Sequence, residues 1–215
     1  MIEAVIFDMD GLMVDTEILC YKMYKSFLKT KGIEINKNDY ASCFTGKKMD
    51  DGLYYAKKYF NIEFEVDEAI HYFISNEDTS QNVDLKPGLE ELVHYLHSKN
   101  IKMAMATSSG LERVHKLLDP YDILKYFDTI TCGSEVKHGK PAPDIFLKAC
   151  EKLAVEPTHA LVLEDSETGI QAAYSANIPV ICIPDLKNPA EKYEKMTTAI
   201  LKSLHDVIDF VEKDS

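Results

Sequence analysis

The chain has 215 residues, 46% hydrophobic and 28% charged, with 9 Gly and 8 Pro, which excludes a disordered or fibrous protein and leaves material for one substantial core and a smaller second domain. Its formal net charge of -12 is offset by no cluster of Lys or Arg, which argues against nucleic acid or an anionic membrane surface as partner. Five scattered cysteines (Cys20, Cys43, Cys132, Cys150 and Cys182) lack paired spacing, the N-terminus is acidic early and no apolar stretch reaches spanning length; reduced thiols, no disulfide frame or zinc site, and a cytoplasmic location are expected.

The first apolar run, Ala4-Val5-Ile6-Phe7, reads as a buried strand that ends on Asp8-Met9-Asp10-Gly11. Carboxylates are costly to dehydrate, so an acidic pair closing a buried strand needs a chemical reason. Residues two apart on a strand point to one side, and Asp8 and Asp10 therefore address one small volume suited to a cation and an electrophile. Gly11 lets the chain turn sharply and lets backbone approach a ligand.

Apolar residues at helical spacing then predict a helix over Glu17 to Lys31, with Thr16 as its N-cap, and further helices near Asn38 to Phe44, Lys48 to Phe60 and Asp67 to Glu77. No strand signal interrupts this stretch, so residues 16–82 are expected to form a helical insertion, with 1–15 and 83–215 as the main domain. From Pro87 the pattern alternates. Helices are predicted over Gly88 to Ser98, Leu111 to Leu118, Pro143 to Leu153, Glu167 to Ala176 and Leu204 to Glu212; strands over Lys102 to Ala106, Thr129 to Cys132, Ala160 to Leu163 and Pro179 to Ile183. Such alternation implies right-handed crossovers and a parallel sheet covered on both faces, an α/β fold. Ligands of open parallel sheets bind beyond the carboxyl ends of the strands.

The residues just after the strands form a short list: Asp8 and Asp10; Thr107-Ser108-Ser109; Lys140 within Gly139-Lys140-Pro141; and Glu164-Asp165-Ser166. Carboxylates, hydroxyls with amides at a helix start, and one lysine on one sheet edge suit transfer of a phosphoryl group to an aspartate. Asp8 and Asp165 are the first candidates to hold Mg²⁺, with Glu164 in direct or outer contact and the Asp10 main-chain carbonyl contributing. One of the two N-terminal aspartates would attack phosphorus and the other would exchange protons with the leaving alcohol and with water. Thr107 and the Ser108 amide, with Ser109 beside them, would hold the transferring oxygens, and Lys140 would neutralise their charge. Asp15 reads as part of a hinge. His138 reads as a loop residue, and His94 and His97 lack a third metal ligand.

Phe-Asp8-Met-Asp10-Gly11, Ala-Thr107-Ser108, Gly-Lys140-Pro and Leu-Glu164-Asp165-Ser-Glu-Thr-Gly169 resemble, in order, the four motifs of the haloacid dehalogenase superfamily, in its β-phosphoglucomutase-like and sugar phosphatase branch. The resemblance implies a Rossmann-like, doubly wound core with an inserted four-helix cap, Mg²⁺, Asp8 as nucleophile and Asp10 as general acid and base. It also implies a mobile cap with hinges near Gly11 to Thr16 and Asn82 to Pro87. Gly11, Thr16 and Lys47 join the candidate substrate contacts. The mutase pattern has a histidine where this chain has Cys20 and an arginine where Gly46-Lys47-Lys48-Met49-Asp50 offers Met49. A nearby lysine is not equivalent to a bidentate arginine clamp, and Lys47 or Lys48 would substitute for it only in part. A monomeric phosphatase acting on a small sugar phosphate is therefore expected ahead of a mutase.

Overall fold

A computed structural model describes residues 2–45, 47, 49–76, 83–185 and 187–213. The chain divides into two compact units, residues 1–15 with 84–215, and residues 16–83.

The larger unit is built on a six-stranded sheet: β1 (Ala4–Phe7), β2 (Lys102–Thr107), β3 (Thr129–Cys132), β4 (Ala160–Glu164), β5 (Val180–Cys182) and β6 (Ala199–Ile200). Its order is β3-β2-β1-β4-β5-β6, with every pair parallel. The fold is thus α/β, as the alternation predicts. Strand β6 is absent from the sequence-based expectation, because two residues paired at an edge, Ala199 with Ile181 and Ile200 with Cys182, are too short to show alternation. The same holds for the single-turn helix Glu191–Glu194.

Central strands buried on both faces read as continuous apolar runs, and all four residues of β1 are fully buried. Ala4 and Ile6 point to one face, with Ala104, Ala106 and Val162. There they meet Ile145, Phe146 and Ala149 of the helix Asp144–Leu153 and Ile170 and Ala173 of the helix Glu167–Ser175. On the other face lie Val5, Phe7, Met103, Met105, Leu161 and Leu163, all buried. The helix Leu89–Ser98 packs on β2 there, and the C-terminal helix His205–Lys213 packs on that helix. Gly88 precedes Leu89–Ser98 instead of starting it. At φ 89° its Cβ would stand 2.5 Å from the His205 amide nitrogen, so only glycine fits this close approach.

The strand order reverses at β1, and the crevice beyond β1 and β4 is where such sheets bind ligands. The two chain segments that leave and re-enter this unit run side by side. Val14 bridges Leu85 in antiparallel fashion, the Asp15 amide donates to Asp84 at 3.0 Å and the Lys86 amide to Met13 at 2.9 Å.

The smaller unit contains helices α1 (Thr16–Thr30), α2 (Lys37–Cys43), α3 (Met49–Phe60) and α4 (Val66–Ser75). Thr16 is the first residue of α1, not a cap preceding it. Asn36 caps α2 by accepting from the Asn38 and Asp39 amides, and Asp39 reciprocates to the Asn36 amide. The core is aromatic: Tyr24 stacks on Phe44 with centroids 3.9 Å apart, and Phe27 meets Phe64 and Phe73 edge-on. Gly46, Lys48, Glu77 and Asn82, which figure in the predicted cap loop, helix end and hinge, lie outside the described residues.

Candidate active site

Asp8 follows β1, and its amide donates to Leu163 at 3.0 Å, which continues the β1–β4 pairing by one residue. That pairing brings Asp8 level with Glu164, the last residue of β4. Lys140, 132 residues away from Asp8 in sequence, reaches between them. Its Nζ donates to Asp8 Oδ1, to Glu164 Oε1 at 2.6 Å and to the Ala106 carbonyl at 3.3 Å. The side chains of Lys140, Asp8 and Glu164 are 6%, 10% and 0% exposed, so these charges act on one another with little screening by water.

Both oxygens of Glu164 are engaged inside the protein. While Oε1 takes Lys140, Oε2 accepts from the Asp165 amide at 3.0 Å and from the Ser166 amide and hydroxyl, each at 2.9 Å. Gly169 makes room for it, since a Cβ there would lie 1.7 Å from Glu164 Oε1. Gly11, at φ 88°, does the same for Asp165: a Cβ would stand 2.3 Å from Asp165 Oδ2. Two of the motif glycines are therefore present because carboxylates occupy the space their side chains would fill.

Asp8, Glu164 and Asp165 place one oxygen each within 4.8 Å of one another, the one such acidic group among the described residues. Burial pushes Asp8 up to about 7 against the opposing pull of Lys140, with Glu164 and Asp10 adding to the rise. Asp165 is raised well above the ordinary carboxylate range by burial, and then by the charges of Glu164 and Asp8. Burial disfavours the Lys140 charge, but Asp8 and Glu164 overcome it and hold the ammonium above its ordinary value. A buried all-oxygen site with more carboxylates than cations fits a hard divalent cation.

The Asp10 carboxylate stands outside that group. Its Oδ2 accepts from the Ser109 hydroxyl at 2.8 Å and its Oδ1 from Arg113 Nη2 at 2.9 Å. Ser109, expected among the phosphate contacts, thus has its hydroxyl on Asp10, while its amide donates to Thr107 Oγ1 at 3.0 Å. Thr107 is buried, and Ser108 passes close to Gly133, where a Cβ would lie 2.8 Å from the Ser108 carbonyl oxygen. Arg113 is a residue that sequence reasoning misses. The available signal is its position in the first turn of the helix Leu111–Leu118, directly after the Thr107-Ser108-Ser109 run.

Thr16 and Lys47 belong to the helical unit. Lys47 donates to the Ser42 carbonyl at 2.7 Å and lies 4.9 Å over the Tyr55 ring. His138 pairs with Asp144 at 3.1 Å, whereas His94 and His97 flank the Tyr126 ring. Both histidines of the helix Leu89–Ser98 thus meet the same aromatic ring.

The haloacid dehalogenase-like hydrolase family matches residues 5–183. The chain belongs to that family. A phosphorylated carbohydrates phosphatase from Thermotoga maritima is 36% identical over 186 residues, covering 82% of each chain. Hexitol phosphatase B from Escherichia coli is 29% identical, covering 84% of this chain and 83% of its own. Among solved structures, β-phosphoglucomutase from Clostridium difficile superimposes with a TM-score of 0.68 at 26% identity, over 99% of this chain and 96% of that one. The enzyme is a hydrolase of the phosphatase type, in the sugar phosphatase and β-phosphoglucomutase-like branch of the family.

Proposed function

We propose that this enzyme hydrolyses a small sugar or polyol phosphate through a phosphorylated Asp8. The observation that carries the reading is the buried Asp8–Lys140–Glu164 cluster beside Asp165, because burying so many ionisable groups together has a cost that a structural role does not explain. Asp8 and Asp165 would hold Mg²⁺, together with the Asp10 main-chain carbonyl. Glu164, with both oxygens already committed, would orient Lys140 and the turn at Asp165–Ser166. When bound, Mg²⁺ supplies positive charge that favours ionised Asp8 and draws the phosphoryl oxygens into place.

Asp8 attacks phosphorus, the bond from phosphorus to the sugar oxygen breaks, and Asp10 delivers a proton to that oxygen. Water then gives a proton to Asp10 and attacks the phosphoryl group, breaking the bond to Asp8 and releasing orthophosphate. Lys140, Thr107 and the Ser108 amide bind the transferring oxygens, with the start of the helix Leu111–Leu118 behind them. Ser109 and Arg113 orient Asp10. These groups give a local attraction for an anion that the net charge of -12 opposes. The similarity to phosphatases of carbohydrates and hexitols supports a sugar or polyol.

Phosphorus NMR with Mg²⁺ and a panel of sugar and hexitol phosphates tests the reading, with β-glucose 1-phosphate plus a trace of glucose 1,6-bisphosphate in the panel. Orthophosphate is expected to grow with the wild type and not with Asp8→Asn. Conversion to glucose 6-phosphate with little orthophosphate would overturn it in favour of a mutase, the activity of the structurally similar Clostridium difficile protein. Cys20 and Met49 stand where the mutase pattern has histidine and arginine, which favours hydrolysis.

A further inference from the structure

Asp185 lies just beyond β5, on the same sheet edge as the acidic group. Glu164 pairs in register with Cys182, and the Ile183 amide donates to the Glu164 carbonyl at 2.8 Å, so Asp185 leaves the sheet two residues past that contact. Its side chain is only 10% exposed. Oδ1 accepts from Lys86 Nζ at 2.6 Å, whereas Oδ2 is fully buried and has no hydrogen-bond partner among the described residues. A buried carboxylate oxygen without a donor is expensive, and a native fold keeps one where a ligand or ordered water completes it. Lys86 offsets the charge but leaves that oxygen unsatisfied.

The turn that carries Asp165 leaves β4 beside the segment that carries Asp185, since Glu164 is paired in register with Cys182. Lys86, for its part, is held by the paired segments around Val14 and Leu85: its amide donates to Met13 at 2.9 Å, and its Nζ lies 3.8 Å from Asp15 Oδ1. The Asp185 carboxylate is thereby pinned by a lysine whose own backbone is fixed.

We propose that Asp185 is an outer-sphere positioning residue for the divalent cation, its Oδ2 accepting a hydrogen bond from a water of the cation's hydration shell while Lys86 fixes its orientation. Small divalent cations bound by few carboxylates keep several waters, and an acceptor for those protons strengthens binding. The inference rests on Asp8 and Asp165 holding such a cation, as proposed above.

The experiment is a Mn²⁺ titration of the full chain, with free Mn²⁺ read by electron paramagnetic resonance and folding checked by circular dichroism. It compares the wild type, Asp165→Asn, Asp185→Asn and the double variant Lys86→Met/Asp185→Asn, in which no buried charge of this pair is left alone. Asp165→Asn should abolish tight binding, and both variants at Asp185 should weaken it about 10–100-fold, the range for outer-shell partners of metal ligands. Wild-type affinity, within about twofold, in Asp185→Asn or in the double variant would overturn the inference and leave the cation site standing. A wild type that does not bind Mn²⁺, or an Asp165→Asn variant that binds as tightly, would overturn the cation site and this inference with it.

Discussion

Replacing Asp8 with asparagine should stabilise the metal-free protein while destroying its activity. Asp8 is 10% exposed at its side chain and is pushed from its ordinary 3.8 to about 7, chiefly by burial. Near pH 4 and below, the folded state carries this group protonated and neutral. Between about pH 4 and 7 the folded state still holds a proton that the unfolded chain has given up, so stability falls as pH rises, and the loss is complete above about 7. A shift of roughly three units at about 1.4 kcal/mol each corresponds to roughly 4 kcal/mol. Asp165, raised as well, acts in the same direction. Lys140 is raised from a value already far above this range and adds no pH dependence within it. An asparagine in place of Asp8 would be neutral at every pH and nearly isosteric, and Glu164 would still pair with Lys140 at 2.6 Å. Thermal unfolding in EDTA should therefore give similar midpoints for wild type and Asp8→Asn near pH 4. Near pH 8 the variant should melt on the order of 10 °C higher. Parallel midpoint-against-pH curves, or a variant less stable near pH 8, would refute the assignment of Asp8 as a buried, energetically costly carboxylate.

Lys140→Met removes the partner of two buried carboxylates and should cost about 3–5 kcal/mol in guanidinium unfolding near pH 8, together with turnover; a variant as stable as wild type would show that the cluster does not depend on this lysine. Gly169→Ala places a methyl 1.7 Å from Glu164 Oε1, so Mn²⁺ binding and melting temperature should both fall, and an unchanged pair of values would mean that Glu164 moves freely. Arg113→Ala breaks a pair whose side chains are 45% and 33% exposed, so stability should change by less than about 1 kcal/mol. Its kcat should fall, more for sugar phosphates than for an aryl phosphate whose leaving group needs no proton. Equal losses for the two substrates would count against Arg113 acting through Asp10, and recovery in Arg113→Lys would support a role of charge.

The helices and central strands are readable because their signals are local. β1 and β4 are apolar runs ending in acid, and the helices carry apolar residues at their own period, so burial dictates both pattern and place. Boundaries shift by about a residue at most elements, as at Thr16, inside α1, Gly88, outside its helix, and Pro179 and Ile183, outside β5. The two-residue strand β6 leaves no trace, because its pairing with β5 depends on a neighbour and not on its own composition.

The sequence by itself carried the phosphatase reading, since most of the residues proposed to act stand next to a strand end, Asp8 and Asp10, Thr107 and Ser108, Glu164 and Asp165, with Lys140 in the connection after β3. Only the tertiary structure decided how they are partnered. Lys140 meets Asp8 across 132 residues, Arg113 meets Asp10 across 103, and Lys86 meets Asp185 across 99. These pairings follow from which strands lie side by side and in what register, and register is a property of the whole packed sheet. For the same reason no motif announced that Glu164 spends its oxygens on Lys140 and its own turn, or that Asp185 keeps one buried oxygen without a partner among the described residues. Such facts depend on which donors reach a buried atom once the chain is folded, and chain order does not carry that information.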